Sequence, residues 1–285
     1  MADSTGMADL RKENVSRVVT GFALQEYRLK QLCMVQSSSA WKETYQKETA
    51  ADLTGGTDSA VKGIPRLANF PYGEPTWTEA SSRLVKHGMD GYVSWEDAKT
   101  NEIDVIARTL LRIARAVAKS VDEDIYSAFT TDNGNTVATG AAWDATVIAD
   151  RDPIQDILNG IKLIQIDNYD ALGGNGYLLV NPTDYAALLG NANVRNAGQF
   201  YTDNVTRNGR VGKLLGLNVI VSNSVDADEA AIVIAKEACT WKEAAPLRVT
   251  STEDAGVKWT IRAWTVGVAQ VKNPDAICII TNTAA

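Results

Sequence analysis

The sequence predicts an α+β protein, and three observations carry that prediction. One long amphipathic stretch covers residues 97–128, short apolar runs bounded by glycine fill the C-terminal half, and Gly and Pro interrupt the chain repeatedly between residues 41 and 80. The first reads as a single long helix, the second as strands of a buried sheet and the third as an extended excursion. With 285 residues the chain suits one elaborate domain or two joined ones, with a core that needs neither disulfide nor metal.

Residues 1–36 begin polar and then carry Val18, Phe22, Leu24, Leu29, Leu32 and Met34. These suit a helix with too few apolar anchors to stand alone, so the segment must lie against another surface. From Trp41 to Glu79, polar and apolar residues alternate around Gly55, Gly56, Gly63, Pro65, Pro71, Gly73 and Pro75. That pattern predicts a long two-stranded hairpin rather than packed core. Trp41 and Trp77 bracket it at its two bases, where large rings would clamp it to the body.

After a strand over residues 86–93, Ile103, Ile106, Leu110, Ile113, Val117, Val121 and Ile125 recur at steps of three or four, which places one apolar stripe on one helix face. A helix of roughly 28 residues is about 42 Å long and suits a scaffold spine. Its acids cluster early and Arg108, Arg112, Arg115 and Lys119 follow, in the direction the helix dipole favours, although the acidic DEDIY segment at its end runs against it. Asp122 with Asp124, and Glu253 with Asp254, read as carboxylates on solvated faces.

Beyond a polar, turn-rich break, DPIQDILNGIKLIQIDN predicts a helix with Pro153 in its first turn. GYLLVNPTDYAALLG predicts a strand over residues 177–180, then a helix capped by Asn181 with Asp184 as its first-turn acid. Residues 218–221 and EAAIVIAKEACTW add strands, and WTIRAWTVGVAQV and AICIIT finish the chain as two more, joined by a turn at Asn273-Pro274.

Several chemistries are disfavoured by the composition. Twenty-eight basic against 35 acidic residues give a net charge of −7, which argues against electrostatic wrapping of nucleic acid. His87 is the single histidine, so histidine-rich metal sites are impossible. GGNGYLLV places its glycines before a strand, and RNGRVGKLLG lacks the GxxxxGK[ST] spacing, so neither is built to cradle phosphates. No catalytic residue, cofactor or metal ligand is therefore expected. Cys33, Cys239 and Cys278 are odd in number and far apart in sequence, which predicts three free thiols and a reducing compartment. No signal-peptide core or bilayer-length apolar run is visible, so a soluble cytosolic product is expected.

The succession of elements resembles the major capsid proteins of tailed double-stranded DNA phages and related archaeal viruses, whose Hong Kong 97-type fold is shared with encapsulins. The resemblance lies in the arm, the extended loop and the spine helix. It continues through DPIQDILNGIKLIQ, GYLLVNPTDYAALL, GRVGKLLGLNVIVSNSV, EAAIVIAKEACTWKEAAPLRV and VKWTIRAWTVGVAQVKNPDAICIIT. GLNVIVSNSV followed by the EAAIVIA strand is the most telling piece. The resemblance implies an N-terminal arm at 1–40 and an extended loop at 41–80. It also implies a peripheral domain of 81–135 and 256–274 around the spine, and an axial domain of 136–255 and 275–285.

As the resemblance implies, this is a virion capsid protein that self-assembles as pentamers and hexamers into an icosahedral shell, in the host cytoplasm. The shell encloses double-stranded DNA without strong specific binding. A separate scaffolding protein and a portal protein are the expected partners, with no membrane. Intersubunit contacts are expected at Trp41 and Trp77, and at Arg195, Arg207 and Arg210, whose charge would meet acids of the next copy around a capsomer axis. Some relatives cross-link a loop lysine to an asparagine of the adjacent subunit. Lys42, Lys47 and Lys62 are the loop lysines here, and no motif identifies an acceptor. The competing readings are an encapsulin-type compartment shell and a soluble metabolic enzyme.

Overall fold

The computed structural model describes residues 12–48, 64–70, 77–100, 105–191, 194 and 212–285. Helix α1 (Lys12–Glu26) buries Val15, Val19 and Ala23, which recur every fourth residue and so share one face. Val18, in the expected stripe, is on the exposed side. Strands β1 (Met34–Ser37), β2 (Lys42–Lys47), β3 (Thr78–Arg83) and β4 (Val85–Ser94) follow, then a short helix α2 (Trp95–Thr100) and the spine helix α3 (Val105–Thr131).

Ile106, Leu110, Ile113, Val117, Val121 and Ile125 are all buried along α3, as their spacing predicts; Ile103 lies outside the described residues. The spine is described from Val105 rather than 97, and its 27 residues make a rod of about 40 Å.

The rest of the chain supplies β5 (Asn135–Ala138), α4 (Pro153–Ile166), β6 (Gly176–Val180), α5 (Pro182–Gly190), β7 (Lys213–Leu214) and β8 (Leu217–Val221). Strands β9 (Glu229–Ile234), β10 (Cys239–Asp254), β11 (Lys258–Val271) and β12 (Ile277–Thr281) complete it. Both helix starts are set by local chemistry. The Asp152 side chain accepts from the Gln155 N–H at 3.2 Å, with Pro153 at the first position of α4. Asn181 accepts from the Thr183 N–H at 3.1 Å at the start of α5.

Two sheets form. The first has the order β1-β10-β11-β4, with β1 parallel to β10 and the other pairs antiparallel. Its centre is the long hairpin of β10 and β11, whose register slips between Glu243 and Arg248. Pro246 sits inside that slip and has no N–H to donate to a ladder. Trp241 is fully buried in this sheet. Its ring needs the missing side chain of Gly267, where a Cβ would collide with the indole. The second sheet has the order β5-β12-β9-β6-β8-β7. Its central strands β6, β9 and β12 are buried almost throughout, which is why they read as continuous apolar runs rather than alternations. Helix α4 covers it with Ile157, Ile161 and Ile164, and Gly160 lets the helix approach Ile232 and Cys278.

The two C-terminal strands belong to different sheets, β11 to the first and β12 to the second, with the 3₁₀ turn Pro274–Ala276 carrying the chain between them. Three expectations are corrected. Strand β10 continues far beyond Trp241, because polar residues alternating on a half-buried surface hide a strand from an apolar-run reading. The break after α3 is not wholly loop. It contains β5, paired with β12, and the fully buried Trp143, whose Nε1 donates to Asp156 at 3.1 Å. Finally, all three cysteines are buried free thiols, yet they are not all apart, since Cys33 Sγ lies 3.3 Å from Cys239 Sγ.

Ile113 is fully buried, and its side chain occupies the space above Gly91 of β4. Ile113→Asp would bury an unpaired carboxylate there and should cost about 4 kcal/mol or more. Circular dichroism melts are expected to show an unfolded or aggregated variant. A soluble variant melting like the parent would remove Ile113 from the core.

Candidate functional site: the arm junction and the projecting ribbon

The segment leaving α1 must turn before β1 can join the sheet, and the turn exposes backbone N–H groups with no helical partner. Asp122 of the spine satisfies them. Its Oδ2 accepts from the Arg28 N–H at 2.9 Å, and its Oδ1 accepts from the N–H groups of Leu29 and Lys30 at 3.2 Å each. Asp122 is therefore buried, not on a solvated face. Burial pushes its carboxyl up to about 6, while the three N–H donors and the nearby Arg28 charge hold it down. The signal in the sequence was an acid in register with Ala114 and Ala118, at four-residue steps on one helix face; both alanines are buried.

Further contacts fix the same turn. Leu29 and Leu32 are buried, Lys30 pairs with Glu243 of β10 at 2.8 Å, and the Lys236 N–H donates to the Leu32 carbonyl at 2.6 Å. The ammonium of Lys30 also lies 4.9 Å from the ring of Tyr27 and 5.6 Å from that of Trp241.

The other polar candidates occupy structural positions. Asp124 is half-buried, which raises its pKa against the pull of His87 and the Ala269 N–H. His87 is buried with Nδ1 2.9 Å from Ser120 Oγ, and burial lowers its pKa against the attraction of Asp124. Burial, reinforced by Asp144 and Asp228, pushes Asp184 up to about 6. Glu253 and Asp254 are exposed, as expected. Among the described residues, no cluster of three or more His, Cys, Asp or Glu side chains is arranged to hold a metal ion. No described helix is long and apolar enough to cross a membrane.

Strands β2 and β3 form a separate two-stranded ribbon, pairing from Lys42 with Arg83 to Lys47 with Thr78. The ribbon lies along the first sheet through polar contacts. Glu43 meets Lys242 at 3.7 Å, Ser82 accepts from Gln270 at 2.7 Å, and the Glu48 N–H donates to the Lys272 carbonyl at 2.9 Å. Lys47 is engaged with Asp132, at the end of the spine, at 2.6 Å. Lys42 is exposed, and Lys62 lies outside the described residues.

The two tryptophans do not clamp the ribbon to the body, since both are exposed. Trp41 stands opposite Leu84 at one end, its carbonyl accepting from the Leu84 N–H, while Trp77 precedes β3 at the other end. Strand rise separates the two positions by roughly 20 Å. Their exposures are 70% and 55%, because the ribbon docks through its polar side chains and leaves the indoles outward. Arg195, Arg207 and Arg210 lie outside the described residues.

A long helix packed under a mostly antiparallel sheet, a second mixed sheet and a projecting ribbon make up an architecture found in capsid proteins. Solved structures bear this out. The chain superposes on the virus-like particle protein of Pyrococcus furiosus with a TM-score of 0.66 at 14% identity, over 94% of this chain and 98% of that one. The capsid protein of cyanophage P-SCSP1u gives a TM-score of 0.67 at 15% identity, over 90% and 88%. That of the mature bacteriophage PhiM1 capsid gives 0.61 at 14% identity, over 91% and 88%. Comparison with curated protein sequences finds no match. Residues 78–280 match the phage capsid protein family, and the chain belongs to that family. It is a self-assembling structural protein of a capsid shell.

Asp122→Ala would strand three N–H groups and should destabilise the chain by roughly 3 kcal/mol, read from denaturant unfolding at pH 7. The parent carboxyl titrates at about 6 when folded, above its ordinary 3.8. Between about pH 4 and 6 the folded chain therefore holds more protons than the unfolded one. The protonation-linked part of the Asp122 contribution is fully present below about pH 4 and is lost as pH rises through 6, while the three accepted N–H bonds remain at pH 7. Asp122→Asn should flatten that segment of the stability–pH curve; an unchanged slope would exclude Asp122 as its source.

Proposed function

We propose that many copies of this chain associate as pentamers and hexamers that tile an icosahedral shell around a packaged double-stranded DNA genome. The ribbon carries this reading. It stands outside both sheets and holds two large aromatic rings in solvent, and exposed aromatics on a rigid edge are the side chains that interfaces bury most profitably. The exposed Met34, Val35, Leu67 and Phe70 extend the apolar surface available to a neighbour. The net charge of −7 favours a shell that leaves packaged DNA movable. A separate scaffolding protein, a portal protein and assembly in the host cytoplasm complete the reading.

In this reading the first sheet and spine make the peripheral part and the second sheet the axial part. β10 lies within 136–255 and is laddered to β11, so it goes with the peripheral part. Arg195, Arg207 and Arg210 are assigned to contacts around the capsomer axis.

Electron microscopy of the purified chain should show closed shells. Trp41→Ser with Trp77→Ser should keep the melting temperature within a few degrees while abolishing or sharply reducing shells. Replacing the three arginines by serine should weaken capsomers at low salt and make assembly less salt-sensitive than that of the parent, because the attraction that salt screens is gone. Undiminished shells in the tryptophan variant would remove the ribbon from the interface, and a triple variant that assembles like the parent at both low and high salt would do the same for the arginines.

A further inference from the structure

We propose that Cys33 and Cys239 are a modification site: an intrachain disulfide, closed by exchange with a low-molecular-weight disulfide such as oxidised glutathione, that locks the N-terminal arm onto the first sheet. The two sulfurs lie 3.3 Å apart and both residues are buried. Their placement follows from the parallel register of β1 on β10, which pairs Met34 with Thr240 and so sets Cys33 beside Cys239. Neighbouring strands run about 4.8 Å apart, within the span of Cα separations that disulfides bridge. Closing the bond to about 2.05 Å asks for a small side-chain rotation and no movement of the sheet. Cys278 is excluded as a partner because it lies in β12 of the other sheet, beneath Gly160.

The bond would act where the arm is otherwise held by non-covalent contacts alone. Cys33 follows the turn gripped by Asp122 and precedes a β1 of four residues, while Cys239 opens β10. Joining residues 206 positions apart closes a very long loop, the case in which a cross-link restricts the unfolded chain most. Release of the arm would uncover the edge of β10 together with Leu29 and Leu32, so the lock also protects an edge strand.

The chemistry is thiol–disulfide exchange. One cysteine thiolate attacks a sulfur of oxidised glutathione, forming a mixed disulfide and expelling one glutathione thiolate. The second cysteine thiolate then attacks the protein sulfur of that mixed disulfide and expels the second glutathione. Two protein thiols lose two electrons and two protons, and one oxidised glutathione becomes two reduced ones. In the docked arm, the hydrogen bond to Cys239 and burial hold the Cys33 thiol protonated, and no room exists for a mixed disulfide. Exchange therefore takes place with the arm lifted, and the bond preserves the redox state of the solution in which the arm docked. This inference concerns the chain alone and does not depend on shell formation.

The test uses the purified full-length chain, unfolded and refolded in reduced or in oxidised glutathione, then denatured and titrated with a maleimide. Three thiols are expected after reduction and one after oxidation, with the Cys33 and Cys239 peptides found linked by mass spectrometry. The oxidised chain should melt roughly 5–15 °C higher, and reductant should reverse the gain. Cys239→Ala should lose both the link and the shift, whereas Cys278→Ala should retain both. Three thiols under oxidised glutathione, a link through Cys278 or between chains, or an oxidised chain that melts no higher would each overturn the proposal. Should Cys239→Ala fail to fold, peptide mapping of the parent chain decides the matter.

Discussion

A single buried carboxylate holds the architecture at its most demanding point. Where α1 ends, the chain must reverse and enter the first sheet, and three consecutive N–H groups would otherwise enter the core without partners. Asp122 accepts all three from the adjacent helix. An anion at the free N–H groups of a turn is favourable locally and expensive globally, because the same burial that strengthens the hydrogen bonds penalises the charge. The raised pKa of Asp122 is the trace of that opposition.

Once the arm is placed, the remaining packing follows from one rod and two sheets. The spine buries its apolar stripe along nearly its whole described length, with Ile113 against Gly91 and Phe129 fully buried near its end. The first sheet is long and thin, built on a hairpin of 16 and 14 residues, while the second is short and densely apolar. The chain passes between them at Asn273 to Ala276.

The tryptophans divide along the same line. Trp143 and Trp241 are fully buried and have specific companions, Asp156 for the first and Gly267 for the second. Trp41 and Trp77 lie on a ribbon that contacts its own subunit through charged and polar groups. Identical side chains thus serve as core in the sheets and as free aromatic surface on the ribbon. Composition has no way of separating the two uses, because burial belongs to the position and not to the residue.

The spine, the helix starts at Asp152 and Asn181 and most strands were legible in the sequence, because each depends on residues within a few positions of one another. The order of elements carried enough of the pattern to point to the capsid fold. The tertiary structure alone decided that β10 runs on past Trp241 and that Trp41 and Trp77 stand outward in solvent. It alone turned Asp122 from a surface acid into a buried cap, and brought Cys33 within reach of Cys239. Each of these depends on groups far apart in the chain, 93 residues in the case of Leu29 and Asp122 and 206 in that of the two cysteines. Periodicity reports which face of an element is apolar, whereas the partner of a polar group is set only when sheets and helices have closed around it.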